Sequence, residues 1–120
     1  MTGYEWLVEA YGCDPVLLGH RESLEALFSA LVDGMDLHPV QPVCWHQFAS
    51  PAPPLPGGIT GLLLLSESHL TCHTFPEHAS ICLNLFCCKP RPEYDFKTTL
   101  EQRLGAGSVR VRKLERPYCP

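Results

Sequence analysis

The segment from Leu62 to His78 reads LLLLSESHLTCHTFPEH. An apolar run ends in two serines flanking Glu67, and His69 and His73 follow on either side of Cys72. Residues of these types support three chemistries. A serine beside a histidine base makes a nucleophile, although the G-x-S-x-G elbow of the α/β-hydrolases is absent. Cys44-x-His46, Cys72-His73 and Cys87-Cys88 are soft metal ligands, but none has C-x2-C or H-x3-H spacing. The third chemistry is self-processing, in which a serine attacks the carbonyl that precedes it.

Whether these groups meet depends on strand register. With Pro76 to His78 at the centre of a hairpin turn, Cys72 faces Cys82 and Ser68 faces Phe86. Cys88 then lies diagonal to Ser68 and on its face, roughly 7–8 Å away. His73 has the opposite parity and stands about 16 Å along an extended strand. The two meet only if the chain bends, and the polar Ser66–His69 stretch is the expected place. Ser68 is therefore expected in a turn or bulge, where backbone strain can be stored.

The elements that must position these residues follow from periodicity. Glu5–Tyr11 reads as a strand. Asp14-Pro15 supplies a helix cap and first turn, and Leu17, Leu24, Leu27, Phe28, Leu31 and Val32 recur at helical spacing before Gly34. Gly19 weakens the first turns, which moves the expected start toward Ser23. Val40–Phe48 reads as a strand, and the proline-rich Ala49–Gly58 as a loop. Gly61–Ser66 is a continuous apolar run, the pattern of a strand buried on both faces. Leu70–Phe75 and Ser80–Cys87 are strands, and Lys89–Pro92 is a break. Phe96, Leu100 and Leu104 make a second helix closed by Gly105, and Ser108–Leu114 alternates as a half-exposed strand. The order β-α-β-β-β-β-α-β predicts an α+β two-layer sandwich, a mainly antiparallel sheet with two helices on one face.

The bulk numbers bound the class. A chain of 120 residues forms one domain. A net charge of −4 lacks the basic footprint of a nucleic-acid binder. The longest apolar run is too short to span a bilayer. Seven cysteines, an odd count without a secretory leader, read as reduced thiols in a cytoplasmic protein.

Leu65-Ser66-Glu67-Ser68-His69-Leu70-Thr71-Cys72-His73-Thr74-Phe75-Pro76-Glu77 closely resembles the processing segment of the prokaryotic S-adenosylmethionine decarboxylases. The likeness continues through Asn84-Leu85-Phe86-Cys87-Cys88 and covers Glu9-Ala10-Tyr11-Gly12-Cys13-Asp14. It implies a proenzyme that cuts itself between Glu67 and Ser68, into residues 1–67 and 68–120. Ser68 would become an N-terminal pyruvoyl group, the cofactor that forms a Schiff base with the substrate. His73 would assist processing, Cys88 would be the proton donor in catalysis, and Thr60 stands where the family has a processing serine. Phe75 and Glu77 match positions that hold the adenine and the ribose, and Phe48 matches a second stacking residue. Phe75 replaces a tryptophan and Asn84 an aspartate. The implied substrate is S-adenosylmethionine, decarboxylated for polyamine synthesis by a homodimer with active sites at the subunit boundary. No metal is implied.

Two rivals stand beside this reading. One is the same pyruvoyl chemistry on ornithine or arginine, and the other is a non-catalytic zinc or thiol-binding module. Cys72, Cys82 and Cys87 read as inert thiols, and His20, His38 and His78 as solvated.

Overall fold

The computed structural model describes residues 1–120. The elements run β1 (Thr2–Tyr11), α1 (Pro15–Leu18), α2 (Arg21–Gly34), β2 (Cys44–Gln47), β3 (Ile59–Leu65), β4 (Ser68–Phe75), β5 (Ser80–Cys87), α3 (Phe96–Leu104) and β6 (Ser108–Pro117). All six strands join one antiparallel sheet in the order β2-β3-β4-β5-β1-β6. No helix is long and apolar enough to cross a membrane.

Period-2 alternation sends one side chain in two to the helices. Trp6, Val8 and Ala10 of β1, Leu63 and Leu65 of β3, Leu70 and Cys72 of β4, and Leu83 and Leu85 of β5 are buried there. They meet Leu24, Leu27, Phe28 and Leu31 of α2 and Phe96, Leu100 and Leu104 of α3 in one cluster. Each leucine so buried contributes about 1.5–3 kcal/mol relative to exposure. The α+β sandwich with helices on one face is thus the observed fold.

Local chemistry sets the ends. Asp14 accepts the Val16 N–H at 2.9 Å, with Pro15 in the first turn. Gly19 ends that turn, and α2 starts at Arg21 rather than near Ser23. The chain therefore has three helices, not two. Asp95 accepts the Thr98 N–H at 3.0 Å and caps α3. Gly105, at φ +69°, closes it in the left-handed conformation that glycine enters without strain.

Three expectations are corrected. First, the β4–β5 register is one residue off the expected one: Ser68 faces Cys87, Cys72 faces Leu83 and His73 faces Cys82. Pro76–His78 forms a 3-10 turn, and Ala79 follows in the left-handed region at φ +50°. The loop so made holds four residues between the closing pair Phe75 and Ser80, and that sets the register. Cys88 therefore does not lie diagonal to Ser68 on a shared face. Second, the chain turns at Ser66-Glu67, directly before Ser68, but no bend separates Ser68 from His73, because β4 runs unbroken from Ser68 to Phe75. Third, β3 is covered on one face only. Leu62 and Leu64 are 42% and 39% exposed on the sheet face that carries no helix.

Candidate active site

The turn between β3 and β4 is Ser66-Glu67, closed by the pair Leu65 and Ser68. Two-residue hairpin loops favour primed turns, which need positive φ at their central residues. Neither Ser66 nor Glu67 takes a positive φ; the next residue, Ser68, sits at φ +150°. This conformation belongs almost to glycine alone and costs a side-chain-bearing residue about 1–3 kcal/mol. The strain thus falls on the residue whose hydroxyl lies beside the Glu67–Ser68 bond.

The Glu67 carbonyl is held from the next strand, where the Cys88 N–H donates to its oxygen at 2.8 Å. Alternation along β5 puts Cys88 on the uncovered face, half-buried, while buried Cys87 points to the core. The Tyr118 hydroxyl donates to the Cys88 carbonyl at 3.2 Å. Glu67 itself is only 6% exposed. Its carboxylate accepts the His38 N–H at 3.0 Å and pairs with His38 Nδ1 at 2.5 Å. Burial pushes the Glu67 carboxyl up, but the hydrogen bonds from His38 outweigh it and hold the group below its ordinary value.

A second group forms at the other end of β4. Thr60 and His73 face each other across β3 and β4, with Thr60 Oγ1 at 2.9 Å from His73 Nδ1. They open onto a cavity of about 560 Å³ that Phe48, Phe75 and Glu77 also line. That volume suits a small organic ligand. The fold sorts the eight site residues expected from the sequence into two sets. Glu67, Ser68 and Cys88 stand at the β3–β4 turn, and Phe48, Thr60, His73, Phe75 and Glu77 surround the cavity. His73 lies five residues along an unbroken strand from Ser68, about 16–17 Å at the strand's rise per residue.

From His69, beside the β3–β4 turn, a polar chain crosses the uncovered face toward β1. His69 Nε2 donates to Asn84 Oδ1 at 3.2 Å, and Asn84 Nδ2 donates to Glu5 at 2.8 Å. Asn84 foremost, and then Arg116, hold the Glu5 carboxyl below its ordinary value against the opposing effect of burial. Two of the remaining thiols face these residues across the sheet, Cys87 opposite Ser68 and Cys82 opposite His73. Burial pushes Cys72 and Cys87 up to about 12 and raises Cys82, which favours the protonated thiol in all three. No three of the chain's His, Cys, Asp or Glu side chains converge as a metal-ligand set.

His38 was missed. It is exposed over 57% of its side chain, in keeping with a solvated histidine, yet its Nδ1 is turned in to Glu67. The contact spans 29 positions, and no local spacing signals it.

Comparison with known proteins bears on this geometry. A family model described as S-adenosylmethionine decarboxylase matches residues 4–117. An S-adenosylmethionine decarboxylase proenzyme of Clostridium tetani (strain Massachusetts / E88) is 32% identical over 117 residues, which are 95% of this chain and 86% of the relative. One from Shouchella clausii (strain KSM-K16) is 37% identical over 121 residues, 98% of this chain and 87% of the relative. Among solved structures, the adenosylmethionine decarboxylase from Aquifex aeolicus VF5 superposes with a TM-score of 0.76 at 23% identity, covering 98% of this chain and 92% of that one.

Proposed function

The chain belongs to the S-adenosylmethionine decarboxylase family, and from that premise we propose that it is a cytoplasmic proenzyme that cuts itself between Glu67 and Ser68. The processed protein decarboxylates S-adenosylmethionine for polyamine synthesis. One observation carries the reading: Ser68, at φ +150°, adjoins a carbonyl already held by the Cys88 N–H.

The steps follow from those atoms. Ser68 Oγ attacks the Glu67 carbonyl carbon, and the C–N bond breaks to leave an ester and a free Ser68 amine. A peptide is more stable than an ester, so the torsional strain at Ser68 offsets part of the difference. The oxygen that gains charge in this attack is the one the Cys88 N–H binds, so the donor stands in place before reaction. A base then removes the Ser68 α-proton, and the Cβ–Oγ bond breaks. Glu67 leaves as a carboxylate at the end of residues 1–67. Water replaces the amine of residue 68, ammonia departs, and residues 68–120 begin with a pyruvoyl group. That ketone supplies, once it carries the substrate amine, a sink for the electron pair left by CO2 loss.

The base is His73, supported by Thr60, and it comes from a second copy. Within one chain it stands about 16–17 Å from Ser68. The uncovered sheet face exposes Leu62, Leu64, Phe75 and Leu114 by 38–45% each. β3 has the sequence of a strand buried on both faces and a cover on only one. A second copy laid on that face about a two-fold axis would bury it and could supply its His73–Thr60 pair to the Glu67–Ser68 turn of the first. The same contact sets the cavity against the partner's reacting end. There Phe48 and Phe75 stack on the adenine, Glu77 takes the ribose hydroxyls, and the Cys88 thiol returns a proton to the substrate carbon.

Intact mass measurement tests the cut. Two fragments are expected, the second lighter by one ammonia than a peptide that starts with Ser68. CO2 release from S-adenosylmethionine, set against ornithine and arginine, tests the substrate; release only from a basic amino acid would overturn that assignment. Cys88→Ala is expected to cut normally, because the N–H on the Glu67 carbonyl belongs to the backbone. Its kcat should fall by about 10²- to 10⁴-fold, the loss typical of a missing general acid. Steady-state kinetics on the processed variant checks this.

A further inference from the structure

We propose that His38 is a positioning residue for self-cleavage, a clamp that holds the Ser66-Glu67 turn so that the strained φ stays at Ser68. This rests on the cleavage reading above and adds a residue to it. His38 alone makes four contacts with the two-residue turn. Its carbonyl accepts the Ser66 N–H at 2.8 Å and the Ser66 hydroxyl at 3.2 Å. Its N–H donates to Glu67 Oε1 at 3.0 Å, and its Nδ1–H to Oε2 at 2.5 Å. Both carboxylate oxygens are taken, so the side chain of a nearly buried residue is fixed in place.

The clamp is itself anchored. Leu37 is buried, and its N–H donates to Val32 of α2 at 2.9 Å. The Val40 N–H donates to Leu64 of β3 at 3.1 Å, so the 38–40 segment lies along the end of that strand. Asp36, at φ +53°, accepts Arg91 through its carbonyl at 2.7 Å and stands 3.5 Å from His38 Nε2 through its carboxylate. Arg91 lies three positions past Cys88, so the same bracing reaches the segment that holds the Glu67 carbonyl. A turn free to rotate would relax by letting Ser66 or Glu67 take the positive φ that a two-residue hairpin prefers. The four contacts from one anchored residue oppose that rotation. Ser68 Oγ then stays within reach of the carbonyl carbon.

The test separates clamping from bulk stability. Freshly translated precursor is followed by intact mass over time for wild type, His38→Ala, His38→Asn and His38→Gln. All three variants keep the backbone contacts. Asparagine places an amide donor where Nδ1 stands, whereas glutamine carries its donor toward the Nε2 position beside Asp36. The expected result is cleavage about 10- to 100-fold slower in His38→Ala, the scale of a small misplacement of reacting atoms. His38→Asn should recover most of the rate and His38→Gln little of it. Melting midpoints of the same substitutions in an uncut Ser68→Ala background are read in parallel. Wild-type cutting with His38→Ala equally fast overturns the clamp. So does a His38→Asn rate as slow as that of His38→Ala with both midpoints lowered alike, which would mean lost stability alone. A wild-type chain that never cuts overturns the cleavage reading, and the clamp falls with it.

Discussion

Ser68→Ala stays a single 120-residue chain and releases no CO2 from S-adenosylmethionine. Without Oγ no ester forms, no bond breaks at residue 67, and no ketone arises, so both activities vanish from one lost atom. Intact mass and CO2 capture read the two losses together, and a cut Ser68→Ala chain would sink the mechanism. A companion substitution separates chemistry from strain. Ser68→Gly is as inert, but glycine accepts φ +150° freely. Relief of about 1–3 kcal/mol of strain exceeds the roughly 0.5–1 kcal/mol that glycine costs a strand relative to alanine. Urea unfolding should therefore find the glycine variant more stable than the alanine variant by about 1 kcal/mol. A less stable glycine variant would show that the bond before Ser68 is not under torsional load.

How far the sequence carried this depends on the range of each interaction. α3 was legible to its ends because Phe96, Leu100 and Leu104 are spaced by four and Gly105 has to leave the helix. The Ser80–Cys87 strand was legible because a mostly apolar stretch follows the Pro76–His78 turn signal. The β4–β5 register was not, because one extra loop residue, Ala79 at φ +50°, moves every cross-strand partner by one. That slip put Cys88 on the wrong side of Ser68 in the reading, although the two stay neighbours through the Glu67 carbonyl. The double-sided apolar pattern of β3 was read correctly as a pattern and wrongly as burial within one chain. Leu62 and Leu64 have no cover of their own. His38 was out of reach because its link to Glu67 joins segments with no shared periodicity.

The two sets of site residues make the strongest demand on assembly. His73→Ala should slow cleavage by about 10²- to 10⁴-fold, the contribution of a positioned base. Alone, that loss does not say which chain supplies the base. Co-expression with Ser68→Ala does. In a mixed dimer the Ser68 of the His73→Ala chain faces the intact His73 of the Ser68→Ala chain, and that site has every group it needs. The opposite site lacks both. Only the His73→Ala chain should then be cut, and intact mass distinguishes the two chains directly. If His73 served its own chain, mixing would change nothing, since one chain would lack the base and the other the nucleophile. Four residues of unbroken strand between Ser68 and His73 leave no room for the groups to meet at home. A mixture that stays uncut would therefore require β4 to bend after all, or a base other than His73.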